Sequence, residues 1–317
     1  MSNRTTTSGK LAVILRSHQA HLNFVLKQYP LRTKCISVWR IVRGLFFFQQ
    51  QRELMRLSLI TDFVALRASH DIFYHLSHRH YLSSFLSLRE RAEFAVFHMR
   101  VEDRYFDTTY KNAVYLQGGL VLWEQVVEEV HFQIKLRMAS IVAQEGDLEV
   151  ALFVDEQRLH SFKFSWIDGV KIGLPGALVP WVTTCQGLRH SKTEAPEKFS
   201  VAFPNNWAKL FCLSALRGIA LALGSEVFIG IGGDSHVALS SERRPQFIAT
   251  YDDLWLSMNG TKDSRYGYHI PSRLPLKDLK AVPSKHRKRA EQRRQHWTEI
   301  EQRASAAISR CFAATLN

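Results

Sequence analysis

The sequence predicts an α+β fold on three observations. Apolar residues recur at helical spacing up to about residue 112 and alternate with polar ones at a period of two from there to Cys185. A long apolar helix then follows Asn205. Behind it comes a short apolar strand, Val227 to Ile231, so strand, loop, buried helix and strand follow one another. That order gathers polar groups at strand ends into one crevice, beside a helical N-terminal half and ahead of a basic C-terminal helix.

The 317 residues suffice for one large domain, or for a helical and a mixed domain packed together. Apolar (46%) and charged (22%) contents are ordinary, but the net charge of +13 is not. It favours acidic partners: nucleic acid, an anionic membrane surface or a phosphate-bearing ligand. Cys35, Cys185, Cys212 and Cys311 form no CxxC pair, which argues against a zinc knuckle or a disulfide framework and fits a reducing compartment. The apolar run Leu11 to Leu15 stops at Arg16, short of the roughly 7–15 residues of an export core. No run is long enough to span a bilayer. The expected location is cytoplasmic, with periplasmic delivery by a non-classical route as the alternative.

Residues 1–10, rich in Ser and Thr, read as a loose tail, and 11–112 as a helical region. Leu22, Val25, Leu26 and Tyr29 lie at helical spacing, and Pro30 closes that segment. From Ile36 to Ile60 one or two helices surround Leu45-Phe46-Phe47-Phe48, with Arg40, Arg43, Arg52 and Arg56 close by. Such a stretch either lies on an anionic membrane or turns its apolar face to the core and its arginines to solvent. His75-x-x-His78-x-His80 has the look of a ligand set, but no Cys or carboxylate completes a zinc spacing, so no metal site is expected.

Residues 113–283 read as the sheet domain. Val114–Trp123, Val130–Val142, Leu148–Asp155 and Leu159–Trp166 alternate like strands of an antiparallel meander. Gly118-Gly119, Glu145-Gly146-Asp147 and Asp168-Gly169 supply turns. Leu178 to Cys185 is the next strand and delivers Gln186 and Gly187 at its end. The helix from Asn205 to Leu223 is apolar nearly all round and therefore buried. Tyr251 to Met258 forms a short helix stopped by Asn259-Gly260. Residues 284–317 hold the last helix, with an apolar stripe through Ala290, Trp297, Ile300, Ala304, Ile308 and Cys311.

Gln186, Gly187, Gly232, Gly233 and Asp234 are the candidate ligand-binding residues, because they cluster at strand ends. Gly230-x-Gly232-Gly233 is neither a P-loop nor a dinucleotide fingerprint, and a tight turn explains it equally well. Asp234, Ser235 and His236 cannot form a serine triad, since neighbours on an extended chain face opposite ways. His236 remains the candidate catalytic base or ligand contact, with a structural hydrogen bond as its competitor. Lys285, Arg287, Lys288, Arg289, Arg293 and Arg294 can grip phosphates of RNA or of a lipid surface. A solvated helix face explains them too; stacking aromatics are sparse and no DNA-binding motif accompanies them.

Six ordered segments resemble the VirK/YbjX family of Gram-negative bacterial proteins. They are HRHYLSSFLSLRERAEFAVFH, EGDLEVALFVDEQRLHSFKFSW, Gln186-Gly187, GGDSHV, YDDLWLSMNG and VPSKHRKRAEQRR. The resemblance implies a virulence-associated accessory protein, one that supports production, export or surface placement of a virulence factor and resistance of the envelope to host defences. Its implied partner is a surface virulence protein or its mRNA. The chain departs from the family pattern after Gln186-Gly187, with LRHSKTEAPEKF, and at Ala202-Phe203-Pro204-Asn205. The order of strand, Gln-Gly loop, helix and strand is also similar to the core of acetyltransferase-like folds of the GNAT kind. There a strand-end loop and a helix N-terminus hold the pyrophosphate of coenzyme A, which implies a coenzyme A thioester as ligand. Three classes stay open: a non-enzymatic accessory factor, an acyl-donor-dependent transferase, and an RNA-binding regulator.

Overall fold

The computed structural model describes residues 7–28, 30–66, 81–139, 145–174, 176, 178–187, 193–263, 265–273, 276 and 278–314. His70, His75, His78 and His80 lie outside them. The N-terminal half is helical, as expected: α1 (Thr7–Gln28), α2 (Leu31–Gly44), α3 (Phe48–Leu54), α4 (Leu88–Tyr105) and the single turn α5 (Thr108–Lys111). Helix α4 starts in a complete capping box, in which the Ser87 side chain takes the Glu90 N–H and Glu90 takes the Ser87 N–H.

The strands are β1 (Leu120–Val127), β2 (Val130–Met138), β3 (Leu148–Val154), β4 (Gln157–Asp168), β5 (Leu178–Gly187), β6 (Val227–Gly230), β7 (Thr261–Asp263) and β8 (Gly267–Pro271). They form one sheet in the order β1-β2-β3-β4-β5-β6-β8-β7. The first five make the expected antiparallel meander. Two of its hairpins turn on left-handed pairs, Glu128-Glu129 and Asp155-Glu156, whose twist matches that of the flanking strands. β6 then pairs parallel to β5, which requires a crossover. The helices α6 (Ala195–Ala202) and α7 (Ala208–Ala222) provide it.

The period of two explains the two sheet faces. Phe132, Ile134, Leu152 and Val154 share one face, where Phe132 meets Phe199 and Phe203 of the crossover and Phe211 of α7 meets Trp123 edge-on. Trp181 and Ser165 share the other face, where Phe94 of α4 packs edge-on against Trp181. Helix α7 is buried from Phe211 to Ala220, as its all-round apolar sequence requires. It is covered by α9 (Ser284–Ser309), which approaches so closely that a Cβ on Gly218 would stand 2.2 Å from the Glu301 carbonyl oxygen. One apolar core runs from Leu54 to Cys311.

Several boundaries differ from the sequence reading: the loose tail expected up to residue 10 gives way to α1 from Thr7, and the strand expected to reach Val142 ends at Met138. The strand expected from Val114 starts at Leu120, because Asn112–Leu116 wind as a π-helix that turns the Tyr115 hydroxyl onto buried Glu102. The crossover helix starts at Ala208, since Asn205 stands in the left-handed region and a separate helix precedes it. The short helix expected at Tyr251 begins earlier, as α8 (Arg244–Leu256), with Pro245 in its first turn.

Candidate functional site

β5 and β6 pair over only two positions, Trp181↔Ile229 and Val182↔Gly230. One more bond, from the Ile231 N–H to the Val182 carbonyl, closes the ladder at 2.8 Å. Beyond it β5 runs on to Gly187 along β4 alone, while the other chain turns away through a 3₁₀ turn, Gly233–Ser235. The parallel pair therefore forks at its C-terminal end. This is where open α/β sheets release backbone polar groups for binding.

His236 and Tyr251 fill the fork. The Tyr251 hydroxyl is 3.1 Å from His236 Nε2 and accepts the Cys185 N–H at 3.4 Å. His236 Nδ1 accepts the Ala238 N–H at 3.1 Å, so in the neutral ring the proton sits on Nε2, which faces both the Tyr251 oxygen and the Thr183 backbone. Phe247, four residues before Tyr251 on α8, stacks on Tyr251 and leans against the imidazole. Glu145 stands behind them: its Oε2 accepts from Thr184 Oγ1 at 3.0 Å and Lys163 Nζ at 3.4 Å, and its Oε1 lies 3.9 Å from His236 Nε2.

Burial sets the protonation states. It lowers the pKa of His236 to about 4, with a partial counterpull from the Thr183 backbone and a further push from Lys163 and Arg243. The ring is neutral at pH 7. Burial raises the Cys185 thiol to about 12 despite Lys209, so this cysteine is a thiol and no nucleophile at neutral pH. The fork thus holds a neutral imidazole and a phenol hydroxyl that receives the Cys185 N–H and lies within hydrogen-bond distance of His236 Nε2. This constellation suits a hydroxyl that gives up a proton and is stabilised as it does so.

The sequence candidates fall into three places. Gln186, half exposed, and Gly187, exposed, form the open rim of the fork next to Cys185, on the same side of the molecule as His236. Gly232, Gly233 and Asp234 lie on the opposite wall, where packing against α8 dominates. A Cβ on Gly233 would stand 2.8 Å from the Ile248 backbone, and its N–H donates to Asp252 Oδ1 at 2.6 Å. The Asp234 carboxylate pairs with Arg244 at 3.2 Å. Lys285, Arg287, Lys288 and Arg289 are exposed on α9, remote in sequence from the fork, and Arg293 and Arg294 are half buried. Among them Arg287 turns back onto the Val282 and Lys280 carbonyls, and Arg293 leans over the Trp297 ring.

Sequence reasoning missed Tyr251, Glu145, Lys163 and Thr184. For three of them the only signal was membership in the quoted segments: Tyr251 opens YDDLWLSMNG, and Glu145 and Lys163 lie in EGDLEVALFVDEQRLHSFKFSW, whereas Thr184 lies in none. A second buried carboxyl, Glu102 of α4, was missed as well. It accepts from Trp166 Nε1 at 2.8 Å, Tyr115 at 2.9 Å and Tyr110 at 3.2 Å, and burial raises its pKa to about 7 against those three bonds. Among the described residues no group of three or more His, Cys, Asp and Glu side chains can hold a metal ion, and no helix is long and apolar enough to cross a membrane. No curated protein and no solved structure matches the chain. Residues 38–306 do match a family described as a protein of unknown function, DUF535. The chain belongs to that family, the one that includes VirK and YbjX.

Proposed function

We propose that this protein is an acyl-donor-dependent transferase, using a coenzyme A thioester, and that its product serves the envelope and virulence-factor role implied by the family resemblance. The observation that carries this reading is the forked parallel pair with Tyr251 seated in it, held by His236 Nε2 and the Cys185 N–H. An amine or hydroxyl acceptor attacks the thioester carbonyl, the C–S bond breaks, and the leaving thiolate takes the Tyr251 proton. The two N–H donors stabilise the phenolate, and the surplus proton of the acceptor refills it through water. Transfer is direct, since a thiol held at about 12 does not form an acyl-cysteine at neutral pH. The donor enters past Gln186 and Gly187. A cytoplasmic location, where coenzyme A thioesters are made, suits this reading.

Thermal stabilisation by a panel of acyl-coenzyme A donors tests it. Among the described residues a Cβ at Gly187 meets only His160, at 3.6 Å, so Gly187→Trp blocks the rim without breaking the strand. Wild-type protein gains stability with at least one donor and Gly187→Trp does not; no shift with any donor overturns the proposal. A second reading, regulation through mRNA, draws on the exposed cations Lys285, Arg287, Lys288 and Arg289. It requires steeply salt-dependent RNA binding that is lost on reversing Arg287, Arg289 and Arg293. Wild-type behaviour of all these variants in supporting a surface virulence protein leaves a non-enzymatic accessory factor.

A further inference from the structure

The geometry points to a membrane-surface anchor in the N-terminal helices: α2 and the turn that follows it dock on a bilayer rich in anionic lipid. Leu31, Cys35, Val38 and Trp39 fall within one face of α2 by helical spacing, and all four are exposed. Trp39 is 61% exposed, and beyond the helix Phe46 is 84% and Phe48 65% exposed. Single exposed apolar side chains are ordinary, but a run of this kind marks a docking surface. Among the side chains described on α2, none is buried.

Charge selects the occupant. From Met1 to Arg52 the chain contains no Asp or Glu, and it carries Arg4, Lys10, Arg16, Lys27, Arg32, Lys34, Arg40, Arg43 and Arg52. By spacing, Arg32 and Lys34 flank the apolar face of α2 on either side, the arrangement of a helix lying in a headgroup layer. Tryptophan is at home at that depth. RNA is the weaker fit, because Leu31, Ile36 and Val38 offer nothing to stacked bases. Helix α9 makes the contrast: its exposed cations lack an exposed apolar stripe, so it can attract phosphates but cannot insert.

The anchor is independent of the transferase reading and is tested without any donor. The full chain is sedimented with phosphatidylcholine vesicles, with and without phosphatidylglycerol, and with RNA in parallel. Binding to the anionic vesicles is expected to exceed binding to neutral ones by about tenfold or more. Trp39→Asp with Phe46→Asp should abolish it, while Arg287→Glu with Arg289→Glu leaves it in place. All four positions are at the surface, and melting curves confirm that each variant folds. Equal binding to both vesicles, no binding to either, or loss with the α9 variant and not with the α2 variant overturns the proposal. So does RNA binding that depends on Trp39 and Phe46 in the absence of vesicle binding.

Discussion

Glu102 and Glu145 are both buried, yet they are built differently. Glu102 is enclosed by three donors, Trp166, Tyr110 and Tyr115, all of them buried in the core. Its network closes on itself and ties α4 and α5 to the sheet. Glu145 is met by a lysine, a threonine and a histidine, and that histidine leads through Tyr251 to a backbone N–H beside the exposed Gly187. The first carboxyl serves packing, because every bond it makes ends inside. The second stands one relay away from solvent, at the place where two strands part. What separates scaffold from site is where the hydrogen bonds lead; burial alone does not.

The largest effect that breaks this comparison is Glu102→Ala. It strands three buried donors and costs about 3–5 kcal/mol in urea unfolding, with a loss under about 1 kcal/mol counting against a structural role. The pH dependence of stability comes next, and its sign differs between the two clusters. Glu102 titrates at about 7 in the folded chain against an ordinary 4.5, so the folded state holds the extra proton between these values. Its contribution therefore falls as pH rises through that window, by roughly 3 kcal/mol, and Glu102→Gln removes the slope. His236 titrates at about 4 against 6.5, so the unfolded state binds the extra proton there. That contribution is complete above 6.5 and is lost as pH falls toward 4, again by roughly 3 kcal/mol, and His236→Gln flattens the acid limb alone. The smallest expected effect on folding is the most telling for function. Tyr251→Phe should cost about 1 kcal/mol of stability, and under the transferase proposal it leaves donor binding intact while acyl transfer drops about 100-fold. Unchanged transfer would make Tyr251 a packing residue like Tyr110.

Much of the scaffold was readable. Leu148–Val154, Gln157–Asp168 and Leu178–Gly187 lie where the period of two put them, because a strand between two packed layers must alternate or be apolar throughout. Helix α7 was readable for the same reason: fifteen residues with almost no polar face have nowhere to go but the core. The π-helix at Asn112–Leu116 was not, since its apolar and polar residues also fit a strand, and only the pull of Glu102 on Tyr115 distinguishes the two. The glycines before His236 were legible as a turn. Their cause was hidden: a Cβ on Gly230 would stand 2.4 Å from the Trp255 ring, and Trp255 lies on a helix the sequence placed only in part.

By itself the sequence determined the class of fold, the buried helix between two strands, the excess of positive charge, and His236 as a residue to watch. Periodicity and composition are local, and local physics fixes them. Only the tertiary structure decided that β5 and β6 part after two pairs and that Tyr251 reaches the gap. It also decided that Glu145 backs His236 while Glu102 is sealed away. Those contacts join segments far apart in the chain, and no pattern within a segment records which distant hydroxyl or carboxylate will meet it once the sheet has twisted and the helices have closed over it.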